Sequence, residues 1–184
     1  DVSDQIIATY LIERFLRWQQ LLKRRRENSL NPSEIIGLWG EIYILKTYFL
    51  PALDQATALE AWVGPLGEEQ DFSINNALLE VKTQRISKDA IVRFSSLEQL
   101  NLISGDIFVA HLRISLVDDE GLHARTLNEL VDSVLEELVS NVVAQDLLES
   151  RLLEIGYLRL PKYDEQRFAF SQINFYDVTE DFPK

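Results

Sequence analysis

The chain has 184 residues, of which 46% are hydrophobic, and this length and composition suit one domain with a sizeable core. It has no cysteine and only two histidines, which excludes disulfides and thiolate metal sites. Any bound metal would therefore have oxygen ligands, as magnesium, manganese and calcium prefer. The net charge of −12 argues against a protein that coats nucleic acid generally. With no membrane-length apolar run and no visible signal peptide, we expect a cytoplasmic protein.

The basic residues are unevenly distributed, so an acidic protein of this kind can still present a local basic surface. One basic group lies within residues 4–26, whose apolar side chains recur at helical spacing and predict an amphipathic N-terminal helix. That group is interpreted as a solvated helix end, with phosphate contact as the alternative. A second basic group follows residue 81 and consists of Lys82, Arg85, Lys88 and Arg93.

A second helix is predicted to begin at Asn31. Asn31 is a favourable N-cap, Pro32 suits the first helical position, and Glu34 completes a capping box. We expect this helix to run to about Leu50 and to stop at Pro51, because proline interrupts the helical hydrogen-bond ladder.

Glu41 lies in the middle of this second helix, which is apolar almost all round and is therefore expected to be buried on most sides. Burying an unpaired carboxylate is costly, so Glu41 should have a partner or a metal. The alternative is a structural salt bridge to Arg or Lys at the helix surface. Gly37 and Gly40 would allow another part of the backbone to pack closely against the helix.

The stretch from Asp71 to Lys82 predicts a hairpin that turns at Asn75-Asn76, since Asn tolerates the positive φ of a tight turn. Side chains alternate along a strand, so Glu80 and Lys82 share one face, and Asp71 can approach Glu80 across the hairpin. Two carboxylates and an ammonium at one point could form a divalent-metal site with a cationic helper. The alternative is a surface hairpin with a cross-strand ion pair.

The remaining elements are predicted from apolar periodicity and from turn residues. They are a loop over 52–58, a strand over 59–63, a turn over 64–67, a strand over 90–94, a short helix from Ser95, a strand over 106–116, an acidic turn over 117–125, helices over 126–143 and 145–153, and late strands over 156–160 and 168–178 that pair with each other. His111 is interpreted as a satisfied sheet residue. We find no glycine-rich phosphate loop and no nucleophilic triad in the sequence.

This order of elements resembles the core of the PD-(D/E)XK nuclease superfamily. In that resemblance Asp71 and Glu80 match the two acids, Lys82 the lysine, Glu41 an acid of the preceding helix, and Gln99 a polar residue of the following helix. No proline precedes Asp71, since Gln70 stands there. Five motifs also resemble an uncharacterised bacterial family assigned to this superfamily: Gly37-Leu-Trp-Gly40-Glu41, Trp62-Val-Gly-Pro65, Gln70-Asp71-Phe72, Leu79-Glu80-Val-Lys82-Thr83 and Ser95-Ser96-Leu97-Glu98-Gln99-Leu100.

The resemblance implies an α/β (α+β) restriction-endonuclease-like fold, with a central mixed sheet flanked by helices. The whole chain, 1–184, would be one domain. It would consist of an N-terminal helical extension over 1–27, a nuclease-like core over 30–116, and C-terminal helices and strands over 117–184.

The implied activity is metal-dependent hydrolysis of phosphodiester bonds in DNA, in bacterial restriction or phage defence. Mg²⁺ or Mn²⁺ would be held by Asp71, Glu80, Glu41 and the backbone carbonyl of Val81. Lys82 would orient the attacking water or stabilise charge at phosphorus, and nucleic acid would be contacted by Gln99, Arg85 and Lys88. One alternative is a non-catalytic binding or scaffold module of a defence complex with protein partners, which the acidic net charge favours. Another is a plain structural subunit, in which the acidic helical C-terminal part is a partner surface. An oligomer is compatible with each of these functions.

Overall fold

The computed structural model describes residues 29–86, 106–118 and 123–179, together with Ile12. Apart from Ile12, the helix predicted over 4–26 lies outside these residues, as do the strand predicted over 90–94, the helix from Ser95, Lys88 and Gln99. Within the described ranges the predicted mixed α/β architecture is confirmed, with one sheet flanked by helices. No helix in these ranges is long and apolar enough to cross a membrane.

A mixed sheet with the strand order β1-β2-β3-β5-β4 lies at the centre of the described structure. Its strands are β1 (Phe72–Ile74), β2 (Ala77–Arg85), β3 (Asp106–Val117), β4 (Ala124–Arg125) and β5 (Arg167–Asp177). β1 and β2 form the predicted antiparallel hairpin, in which Asn75 has a φ of 52°. β2 runs parallel to β3, and β5 runs antiparallel to both β3 and β4.

The helix predicted from Asn31 is confirmed as α1 (Pro32–Ile44). The Asn31 side chain accepts hydrogen bonds from the Ser33 and Glu34 amides at 2.9 and 3.0 Å, and the Glu34 carboxylate accepts one from the Asn31 amide at 2.7 Å. A π-helical turn (Leu45–Phe49) and the short helix α2 (Leu50–Ala52) continue the segment. The predicted stop at Pro51 is therefore wrong by one residue, because the first turn of α2 accommodates proline.

The loop predicted over 52–58 and the strand predicted over 59–63 are both wrong. Helix α3 (Gln55–Glu60) lies there instead, and the Asp54 side chain caps it by accepting a hydrogen bond from the Thr57 amide at 3.1 Å. Of the predicted strand only Trp62 pairs with the sheet, through an isolated bridge to Phe72. A short apolar run such as Leu59 to Val63 can be buried as part of either a helix or a strand. Its periodicity does not distinguish these two conformations.

The boundaries of the two C-terminal helices differ from the predicted ones, because each helix begins at its own N-cap residue. Thr126 caps α4 (Leu127–Glu137), and Asn141 caps α5 (Val142–Glu154), so the helix predicted over 126–143 ends early and the second one starts early. The acidic turn predicted over 117–125 also contains strand β4. The two helices divide where they do because Asn141 is a strong N-cap within an otherwise continuous apolar pattern.

The strand predicted over 156–160 is absent, and its predicted pairing with the last strand is wrong. Gly156, with a φ of 79°, ends α5, and the following residues pack on α4 rather than joining the sheet. Tyr157 donates a hydrogen bond to Asn128 Oδ1 at 2.8 Å, and the 3₁₀ turn Pro161–Asp164 follows. The last strand, β5, is confirmed over nearly its predicted length and instead pairs with β3 and β4.

Helix α1 packs on the face of β2 that carries Val81 and Thr83. The approach is closest at Gly40, where an added Cβ would lie 1.7 Å from Thr83 Oγ1 and 2.9 Å from Thr83 Cβ. At Gly37 an added Cβ would meet nothing within 4 Å. Gly40 therefore sets the distance between Glu41, its neighbour on α1, and the strand that carries Glu80.

Substitution of each glycine by alanine should have opposite effects on stability. Gly40→Ala forces the helix away from a branched side chain and should lower the free energy of unfolding by about 1–3 kcal/mol. Gly37→Ala, on the same helix, should raise it by up to about 1 kcal/mol through helix propensity. Urea unfolding of the two variants checks this pair. Equal effects would show that α1 does not depend on close contact at Gly40.

Candidate active site

Three acidic side chains from separate elements are close enough to interact electrostatically. Glu41 lies on α1, Asp71 immediately precedes β1, and Glu80 lies on β2. Charge on Glu80 raises the pKa of Glu41, and the charges on Glu41 and Glu80 both raise the pKa of Asp71. The three carboxylates that the sequence singled out are thus within electrostatic range of one another.

Asp71 is held in place by hydrogen bonds to its backbone carbonyl and to its side-chain carboxylate. Its backbone carbonyl accepts from the amides of Val63 and Gly64 at 2.9 and 3.0 Å. Its carboxylate Oδ2 accepts from the Val81 amide at 2.7 Å, which ties it to β2 between Glu80 and Lys82. A Cβ on Gly64 would lie 3.2 Å from Asp71 Cα, so glycine keeps this approach open.

Glu80 and Lys82 form an ion pair on one face of β2, with Lys82 Nζ 2.5 Å from Glu80 Oε1. The Glu80 side chain is only 3% exposed. Its second oxygen, Oε2, is buried and has no hydrogen-bond partner. A buried carboxylate oxygen without a partner is rare, and it leaves one site open for a cation or a donor.

Glu41 has a neutral donor as its partner rather than the cation that the structural alternative predicted. Trp62 Nε1 donates a hydrogen bond to Glu41 Oε2 at 2.8 Å, and Trp62 is fully buried. An indole N–H orients a carboxylate but brings no compensating positive charge. No local pattern in the sequence indicates this contact, although Trp62 belongs to one of the five motifs.

Burial is the main reason that all three carboxyl groups hold their protons unusually strongly. It raises the pKa of Glu41 to about 7, with the Glu80 charge adding to the rise and the Trp62 hydrogen bond opposing it. Burial and the two neighbouring acids raise the pKa of Asp71 well above its usual range. Burial also raises the pKa of Glu80, against the opposing effect of Lys82. Without a cation, this site therefore tends to stay partly protonated near neutral pH.

The residues fit a divalent metal ion in chemistry, although no group of three or more acidic or histidine side chains in the described ranges forms a ready ligand set. The candidate ligands are hard oxygen donors, which suit Mg²⁺ or Mn²⁺. The unpartnered Glu80 Oε2 and the mutual repulsion of the acids are both features that a cation would relieve. Asp71, Glu80 and Glu41 are the candidate ligands within the described ranges.

The other predicted site residues are only partly described. Val81 directs its amide to Asp71, and Arg85 is exposed at the end of β2. His111 is buried, with Nε2 3.1 Å from Gln84 Oε1, and burial together with the charge of Arg113 lowers its pKa. A neutral, hydrogen-bonded imidazole of this kind agrees with the interpretation of His111 as a satisfied sheet residue.

Comparison with known proteins identifies a family that covers almost the entire sequence. The family model described as "Putative PD-(D/E)XK family member, (DUF4420)" matches residues 2–184. No curated protein and no solved structure gave a significant match. Since the family model spans nearly all of the chain, the chain belongs to this PD-(D/E)XK family.

Proposed function

We propose that the chain is a metal-dependent nuclease that hydrolyses phosphodiester bonds, with DNA as its substrate and bacterial restriction or phage defence as its setting. The observation that carries the proposal is the electrostatic coupling of Asp71, Glu80 and Glu41, together with the pairing of Lys82 with Glu80. Membership of a PD-(D/E)XK family supports it, because that superfamily consists generally of nucleases.

In this proposal Asp71 and Glu80 hold Mg²⁺ or Mn²⁺, and Glu41 and the Val81 carbonyl complete the protein ligands. A bound divalent cation supplies polarisation of the phosphate and a lowered pKa for its water. Asp71 and Glu80 must be deprotonated to serve as ligands, so cation binding and proton release are coupled. The Val81 amide holds Asp71 in place for this role, as the Trp62 indole holds Glu41.

Lys82 supplies the positive charge that the ligands lack. Its ammonium contacts Glu80 and is held at the same face of β2. From there it can orient the attacking water or stabilise the negative charge that develops on the phosphate oxygens. A lysine so close to the metal ligands contributes to the chemical step without being a ligand itself.

The alternative, a non-catalytic module with the same fold, accounts less well for the site. The raised pKa values of the acids mean that their charged forms destabilise the folded chain near neutral pH. A scaffold would gain stability by replacing these acids with neutral side chains. Their presence together, with an unpartnered Glu80 oxygen, favours a site that binds a cation.

The test is cleavage of labelled duplex DNA, single-stranded DNA and RNA by the purified chain. We expect cleavage of DNA with Mg²⁺ or Mn²⁺, and none in EDTA. Glu80→Gln should abolish it, whereas Glu69→Gln, which removes an exposed acid two residues before Asp71, should leave it unchanged. Cleavage that persists in EDTA, or that survives Glu80→Gln, would contradict the proposed site. A well-folded chain that binds the metal but cuts none of the three substrates would support the non-catalytic alternative.

A further inference from the structure

A row of polar side chains continues from Lys82 across the sheet on the same face. The parallel register places Lys82 beside His111 and Gln84 beside Arg113, and the antiparallel register places His111 beside Asn174 and Arg113 beside Gln172. Neighbouring residues in register share a face of the sheet. We call this set the polar row; its members are Lys82, Gln84, His111, Arg113, Gln172 and Asn174.

Side-chain contacts support this assignment of the face. His111 Nε2 lies 3.1 Å from Gln84 Oε1, and Gln172 Nε2 donates to Asn174 Oδ1 at 3.2 Å. The Arg113 charge lowers the pKa of His111, which agrees with their position two residues apart on one face of β3. The polar row thus runs from the buried Glu80–Lys82 pair towards exposed positions on β5.

Arg113 is a partly exposed cation of this row. Its Nε is buried and has no hydrogen-bond partner, and Arg113 forms no ion pair with a described carboxylate. This is unusual in a chain with 30 acidic residues and a net charge of −12. A half-buried guanidinium normally has an anionic partner that accepts from its planar fork of donors. Arg113 is partly exposed, so the accessible part of its side chain can take an anionic partner from solvent.

We propose that Arg113 binds a backbone phosphate of the nucleic acid, next to the phosphate that Lys82 faces. This inference rests on the proposed nuclease function. Arg113 lies on the neighbouring β-strand, about 7 Å further along the strand direction than Lys82. This separation is similar to the distance between successive phosphates of one nucleic-acid strand. Gln84, the neighbour of Arg113 on β2, is neutral and partly exposed, so it can border a sugar-phosphate backbone without repelling it. Arg113 is thus a substrate-binding residue that places the substrate strand across β2 and β3.

The test is DNA binding measured by fluorescence anisotropy over a series of salt concentrations, with Ca²⁺ in place of Mg²⁺ to slow cleavage. Arg113→Gln should weaken binding about tenfold, because it removes a charge-assisted contact. It should also lower the slope of log affinity against log salt by about 0.9, which corresponds to one phosphate contact. Arg113→Lys keeps the positive charge but loses the planar set of guanidinium donors. Its DNA affinity should therefore be intermediate, and its salt-dependence slope should be close to that of the wild type.

The matched control is Arg159→Gln, which removes the same charge from an exposed pair with Asp132. If Arg113→Gln matches this control in affinity and salt slope while the wild type cuts DNA, Arg113 does not bind phosphate, yet the nuclease proposal stands. A lowered unfolding midpoint with an unchanged slope would assign Arg113 a structural role and also overturn the inference. A wild-type chain that neither binds nor cuts nucleic acid would overturn both proposals.

Discussion

Replacing Lys82 with alanine is expected to reduce DNA cleavage by at least about 100-fold, because a preorganised charge aimed at the reacting phosphate is lost. Binding of Mg²⁺ should stay largely intact, since an ammonium is not a metal ligand. The same substitution removes the cation 2.5 Å from Glu80 Oε1. Metal binding should therefore be titrated at pH 8, where the acids are more fully deprotonated. At that pH the loss of the Lys82 charge has less effect on the protonation of the metal ligands.

Asp71→Asn is the informative counterpart, because it should weaken both cleavage and Mg²⁺ binding. Isothermal titration with Mg²⁺ and single-turnover cleavage separate the two effects. Lys46→Ala is the control for removing a lysine, since Lys46 pairs with Glu137 on α4 and has no contact with the site residues. Equal activity in the wild type, Lys82→Ala and Asp71→Asn would show that the cleavage comes from elsewhere.

Glu41→Gln is expected to make the metal-free protein more stable while it lowers metal-dependent activity. The folded-state pKa of Glu41 is about 7, against a usual value of 4.5. Between these two values the folded chain holds a proton that the unfolded chain releases, so the free energy of unfolding falls as the pH rises through this window. Above pH 7 the loss reaches about 3 kcal/mol, and Gln, which carries no charge, avoids it.

Thermal unfolding in EDTA at two pH values tests this prediction. At pH 8 the Gln variant should unfold at a higher temperature than the wild type. At pH 5, where Glu41 is protonated, the two proteins should be nearly equal, which provides an internal control. The Trp62 indole can donate to the amide oxygen of Gln just as it does to the carboxylate. A lower midpoint for Glu41→Gln at pH 8 would instead indicate a structural ion pair and would refute the site role of Glu41.

Local sequence signals predicted those parts of the fold in which neighbouring residues decide the conformation. The capping box at Asn31 and Glu34, the hairpin turn at Asn75 and the shared face of Glu80 and Lys82 all depend on residues within a few positions of each other. For the same reason the sequence alone indicates the candidate acids, since an acid in an apolar helix and an acid-x-Lys strand are both visible in it.

Features that depend on packing between distant segments could not be predicted in this way. Helix α3 replaced a predicted loop and strand because burial of Leu59 and Trp62 is compatible with several backbone conformations. The hydrogen bond from Trp62 to Glu41 joins residues 21 positions apart. The polar row likewise depends on the register between β2 and β3, which pairs Gln84 with Arg113. No local periodicity specifies such pairings.

The central claim is that Asp71, Glu80 and Glu41 together bind a divalent cation beside Lys82. Crystals soaked in Mn²⁺ test it most directly, because the anomalous signal of manganese locates the ion independently of the protein density. We predict a peak coordinated by the carboxylates of Asp71 and Glu80, with the Lys82 ammonium moved off Glu80 Oε1. No peak at these carboxylates at saturating Mn²⁺, with the Glu80–Lys82 pair unchanged, would contradict the account.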